Sequence, residues 1–209
     1  MTKKNVFNLV FAISLLISTT SCGQKALPYV VDSTVSTTVD ENIKSTLTTA
    51  QSGMKLIVTI NDSTNAENYG LGKNFGAITQ ASLSHDTIFI TSLLMARKAT
   101  SGYKIILTHD SCTVKYFSLA DEDIFKINKI DKPRHLILFV CRTNKLTFSE
   151  KPQFKTGELI EGMVNLTTDD FWSFNNGQNT KVRVKLTGYF KTNLSQFRPD
   201  EQGAFKQIQ

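Results

Sequence analysis

The chain has 209 residues, 40% of them hydrophobic, 10% aromatic and 20% charged, with a formal net charge of +6 at pH 7. That composition excludes an intrinsically disordered chain and suits one domain with a sizeable core. The Lys and Arg residues are dispersed rather than gathered into a basic tract, which argues against nucleic acid as a partner.

In chain order, the first segment is a different material from the rest. Lys3 and Lys4 give it a positive start, and Val6 to Ile17 is an apolar run of signal-peptide length, too short to cross a bilayer comfortably. Small residues follow, Ser18-Thr-Thr-Ser21, and then Cys22-Gly23. The segment resembles a bacterial lipoprotein precursor, in which such a run ends at a cysteine that becomes the lipidated first residue. Ser21 and Cys22 match the last two lipobox positions; Thr19 departs from the aliphatic residue usual there. The resemblance covers these two dozen residues and implies an address. Residues 1–21 would be a lipoprotein signal peptide and Cys22 the lipidation site. The mature chain would be held by its lipid on a membrane of the bacterial cell envelope, facing the periplasm. No acidic run follows Cys22 to suggest export to the outer surface. Losing Lys3 and Lys4 with no acidic residue takes the formal charge from +6 to +4. The compartment would be oxidising, and no second hydrophobic run is long enough to cross a membrane.

Residues 22–52 read as a Ser/Thr-rich tether. A short helix over 39–50 competes, because Thr38 and Glu41 fit a capping box and Val39, Ile43, Leu47 and Ala50 share a face. The domain spans 53–197. Met54–Ile60 reads as a strand and Asn61–Gln80 as a long loop. Strands are expected at His85–Thr91, Tyr103–His109 and Thr113–Phe117, with helix-friendly residues at Leu93–Lys98. Ile124–Ile130 reads as an edge strand. Arg134–Arg142 is apolar on both faces, which predicts a central strand. The clearest element is the last hairpin, Gly157–Asn193. There Val182, Val184, Leu186 and Phe190 alternate with Arg183, Lys185, Thr187 and Lys191 beyond an Asn176-Gly177 turn. Residues 198–209 form a polar tail. This pattern predicts an all-β fold, an antiparallel β-sandwich with Ig-like architecture as one option, of about eight or nine strands. A partly closed barrel is the alternative.

Several residues could carry chemistry. Cys112 and Cys141 are the thiols left after lipidation and could form a disulfide or stay as separate buried apolar side chains. His109-Asp-Ser-Cys112 could supply two metal ligands, with Cys141 and His135 or His85 completing a set, but it reads first as a hairpin turn. The pairs His85-Asp86 and His109-Asp110 point to opposite faces of a strand and make no catalytic contact by adjacency. Gly70–Gly76 lacks the spacing of a phosphate loop, and Asp121–Asp123 that of a calcium loop. The aromatics Phe171, Trp172 and Phe174 are the candidate binding residues, able to serve a partner protein or a sugar ring, against the plainer role of capping the core.

The expected function is a non-catalytic binding or interaction module on the envelope, with no cofactor and no metal. Its partner would be the membrane through the lipid, together with another envelope protein or a glycan. A structural subunit of an envelope assembly and a metal-dependent or Cys/His enzyme using His109, Cys112 and Cys141 are the alternatives. The leader and strand pattern resemble small bacterial lipoproteins with a β-sandwich head on a tether, and that likeness transfers no site residues.

Overall fold

The computed structural model describes residues 28–44, 52–61, 63–69, 77–95, 99–141 and 143–196. The expected leader, Cys22, the Gly70–Gly76 loop and the polar tail lie outside them.

The fold is all-β, as the alternation predicts, with one helix and thirteen strands among the described residues rather than eight or nine. In chain order these are β1 (Val30–Val31), α1 (Val35–Lys44), β2 (Ser52–Ile60), β3 (Ser63–Tyr69), β4 (Ala77–Ser84), β5 (Thr87–Met95) and β6 (Ala99–Leu107). There follow β7 (Cys112–Ala120), β8 (Phe125–Lys126), β9 (Leu136–Val140), β10 (Thr143–Phe148), β11 (Leu159–Thr167), β12 (Phe171–Asn175) and β13 (Gln178–Gln196). Hydrogen bonds join all of them into one mixed sheet.

The spine is β13. Its predicted alternation holds: Val182, Val184, Leu186 and Phe190 are buried, and Arg183 and Lys185 are exposed. Asn176 (φ 50°) and Gly177 (φ 79°) make the tight turn from β12, which requires positive φ at both positions. One edge of β13 holds β2, from Val182↔Ile60 to Phe190↔Ser52, and then β4 in parallel from Leu194 to Gln196. The other edge holds β12 and then β11; Val182 pairs with both Ile60 and Phe171, so β2 and β12 must lie on opposite edges. From β4 the sheet continues through β5, β6 and β7 to β9. From β12 it passes to β8, which bridges Arg134 just before β9 through Phe125. The pairing thus leads back on itself around one core, to which Met54, Ile90, Ile105, Val114, Ile137 and Leu186 all contribute.

Four expectations change. The loop expected over Asn61–Gln80 contains β3 and the start of β4; β3, Ser-Thr-Asn-Ala-Glu-Asn-Tyr, has no apolar alternation and is formed by backbone pairing with Met54–Ile60 of β2. The helix-friendly stretch after Leu93 is strand up to Met95 and again from Ala99, because the β5–β6 ladder outweighs weak local propensity. The strand expected to be central, Arg134–Arg142, supplies β9 at the end of the sheet order. Its outward residues Leu136 and Leu138 are half-buried and Val140 is 57% exposed. The chain expected as tether is folded from Pro28 to Lys44. Tyr29 packs edge-on against Phe148 at 5.2 Å between ring centroids, and Val35 and Val39 of α1 are buried.

The helix begins earlier than its capping box implies. Asp32 Oδ1 accepts from the Thr34 N–H (3.0 Å) and hydroxyl (2.7 Å), and the Asp32 carbonyl accepts from Val35 N–H. Thr38 lies inside α1, and its carbonyl accepts from the Asn42 side chain. On the sheet side, Lys191 Nζ of β13 meets Asp40 of α1 at 2.9 Å and Glu161 of β11 at 3.1 Å. Those hydrogen bonds raise the Lys191 pKa, with desolvation opposing them.

Tyr103 of β6 crosses the core to Gly188 of β13: a Cβ built there would lie 2.3 Å from the tyrosine ring. Gly188→Ala should therefore cost about 1–3 kcal/mol through overpacking. Gly177→Ala, with nothing within 4 Å of the added carbon, should cost only about 1 kcal/mol through its positive φ. Denaturant unfolding of the two variants checks the order; equal losses would show that Tyr103 yields freely.

Candidate functional site

The inner face of the sheet does not fill at the β12 end. A cavity of about 240 Å³ lies there, lined by Leu56 and Val58 of β2, Leu94 of β5, Phe125 of β8, Phe171 of β12, and Val182 and Val184 of β13. Ala99 and Ser101 of β6, Tyr116 of β7 and Ser173 of β12 complete it. Each lining position follows from the two-residue period: register pairs put Ser101 opposite Leu94 and Phe171 opposite Val182, on one face. The size sequence along β6 explains the space. Leu107, Ile105 and Tyr103 are large and fully buried, and the next inward residues, Ser101 and Ala99, are small.

The wall is apolar with a few hydroxyls. Ser101 and Ser118 hydroxyls are 2.8 Å apart. Burial raises the Tyr116 pKa, against hydrogen bonds from Ser101 and Ser118 that lower it. An engineered apolar cavity of about 150 Å³ already admits benzene, so this one has room for a small apolar ligand or the end of a longer one.

The three candidate aromatics part company. Phe171 points inward and is a cavity wall. Trp172 and Phe174 point outward and are half-buried. Each lies under a lysine, Lys129 Nζ 5.5 Å from the Trp172 ring centroid and Lys126 Nζ 4.4 Å from that of Phe174. Adjacent positions on a strand cannot face one way, so the triple never forms a single platform.

Cys112 and Cys141 are both free. The Cys141 N–H donates to the Val114 carbonyl at 2.8 Å, which sets Cys141 diagonal to Cys112. Diagonal neighbours on a ladder lie about 7–8 Å apart, at the limit beyond which Cα atoms are not bridged without backbone movement. His109 belongs to the β6–β7 turn, where the Thr108 hydroxyl accepts from Asp110 N–H (3.3 Å) and Ser111 N–H (3.0 Å), and its ring rests on Phe154. His85 (φ 51°) sits in the β4–β5 turn. Asp123 meets His135 at 3.4 Å, with both side chains mostly exposed. Among the described residues, no three His, Cys, Asp or Glu side chains converge.

The sequence reading missed the contributions of β2, β5, β6 and β7 to the cavity, because an apolar cavity wall and an apolar core have the same pattern. The available signal was the small and hydroxyl side chains, Ala99, Ser101 and Ser118, at inward positions of strands that are otherwise large and apolar.

Burial pushes the thiols of Cys112 and Cys141 each up to about 11 from an ordinary 9.0. The unfolded chain therefore gives up these protons first, so stability present below pH 9 is lost as pH rises toward 11. Cys112 and Cys141 are expected to be alkylated slowly in the folded protein at pH 8 and fast in denaturant, followed for each residue by peptide mass spectrometry. No protein family, curated protein or solved structure matches the chain, so geometry carries the functional reading.

Proposed function

We propose that this chain is a lipid-anchored protein of the bacterial cell envelope whose all-β head is a non-catalytic binding module, and that its ligand is a small apolar molecule held in the cavity. The observation that carries the reading is the cavity itself: a mainly apolar space, partly open to solvent, at the end of the core where β12 joins β13. Small-molecule sites are of this kind, concave and apolar with a few placed polar groups. Its polar lining consists of hydroxyls, from Ser101, Tyr116 and Ser173. A glycan would bring many hydroxyls into a wall that could pair few of them, and each unpaired group is costly. That weighs the apolar ligand above the sugar.

The leader supports the anchor. If Cys22 is acylated, only Gly23 to Leu27 separate it from Pro28, where the described fold begins. That link spans at most roughly 20 Å when fully extended, which makes the head a closely held one rather than a module on a long tether.

Titration of the full chain with an apolar naphthylamine dye, whose emission rises away from water, should saturate at one equivalent. Ala99→Phe, which fills the cavity, should weaken binding at least about tenfold, on the order of 1.4 kcal/mol, with the melting curve retained. Equal dye affinity in the filled variant would place the ligand elsewhere. Mass spectrometry of the mature chain should show acylation at Cys22, and Cys22→Ala should release the protein from membranes.

A further inference from the structure

Among the described connections, the one from β8 to β9 exposes two isoleucines. Ile130 is 94% exposed and Ile127 41% exposed. Lys129, Lys132 and Arg134 are exposed beside them. The one anion between Lys126 and Arg134 is Asp131, whose carboxylate accepts from the Asn128 backbone N–H at 2.9 Å and side-chain amide at 3.3 Å. The Asp131 N–H donates to the Asn128 carbonyl at 3.0 Å, so the isoleucines are held on an ordered turn. Behind it lies Trp172, the one tryptophan of the chain, half-buried with Lys129 over its ring. The strand that follows turns Leu136, Leu138 and Val140 outward, Val140 57% exposed.

We propose that the 127–134 loop, with Trp172, is a membrane-contact surface that sets Ile127 and Ile130 into an anionic bilayer while Lys129, Lys132 and Arg134 meet lipid phosphates. Aliphatic tips, an interfacial tryptophan and flanking cations are the chemistry of a bilayer surface. A protruding aliphatic tip ringed by cations needs no matching pocket in a bilayer, whereas a protein partner would have to supply one. The acidic run Asp121–Asp123 precedes β8, and Asp123 already faces His135. The contact does not depend on the anchor: β1 lies level with Tyr189 and Phe190 of β13, through β10 and β11, whereas β8 lies level with Lys181, through β12, towards the other end of that strand.

The full chain, reconstituted into vesicles, provides its own reporter in Trp172. In phosphatidylglycerol-rich vesicles containing brominated lipid, its emission should shift to the blue and be quenched severalfold more than in phosphatidylcholine vesicles. Ile130→Asp and the double variant Lys129→Glu with Lys132→Glu should each lose that difference, with an unchanged circular-dichroism spectrum. Equal quenching in both lipids, or undiminished quenching in Ile130→Asp, would overturn the assignment. Capture of an acidic soluble protein without any quenching would overturn it in favour of a protein partner. Flotation of Cys22→Ala reports on the anchor alone, so failure of the anchor and failure of the loop are read separately.

Discussion

The contact of Tyr103 with Gly188 sets the width of the core. Gly188 is in the middle of β13, paired with Met54 of β2 on one edge and Val164 of β11 on the other. Tyr103 is in the middle of β6, paired with Ser92 of β5 and Tyr116 of β7. One ring lying on a bare backbone therefore fixes the distance between two walls of three strands each. Any side chain at Gly188 would have to push them apart, and close-packed interiors resist that. Below this level the inward residues are large, among them Ile88, Ile90, Ile105 and Leu107, and the space is filled. Above it β6 supplies only Ser101 and Ala99, and the space is left unfilled. The cavity is the consequence of a wall separation set by a tyrosine and of the small residues beyond it.

How much of this was legible depended on whether the backbone and the side chains carried the same message. In β13 they did: strict alternation, a turn with two residues tolerant of positive φ, and long ladders on both edges. In β3 they did not. Its polar sequence announces a loop, yet its backbone pairs with β2 from Met54 to Ile60, and backbone N–H and C=O groups take such partners whatever side chains they carry. Residues 28–44 show a third case. Ser and Thr are abundant there, but Tyr29, Val35 and Val39 are spaced to reach the sheet, and a few buried apolar side chains outweigh many indifferent ones.

The aromatic cluster of β12 was legible as important and illegible as to role. Composition cannot say which neighbour faces in, and register can: Phe171 opposite Val182 goes to the cavity, Trp172 opposite Lys181 to the outside. The apolar excess of β9 has the same ambiguity. A strand with apolar residues on both faces is usually covered on both, and here the outer face keeps Val140 largely in solvent. The pattern recorded a second apolar surface correctly, but the sheet does not supply its cover. The loop before β9 exposes two isoleucines of its own, and a bilayer is the cover proposed for that loop.

The polarity of the cavity follows from its hydroxyls being partly occupied with each other. Ser101 and Ser118 share a hydrogen bond across the β6–β7 ladder, and both act on the Tyr116 hydroxyl. Hydroxyls paired within a wall demand nothing of a ligand, whereas unpaired ones would penalise an apolar guest by the cost of leaving them dry. Under the proposed function, the pairing of these hydroxyls lowers the desolvation cost of an apolar ligand at β6 and β7. Ser173, on the opposite wall beside Phe171, is then the position from which a single polar group on the ligand could be distinguished.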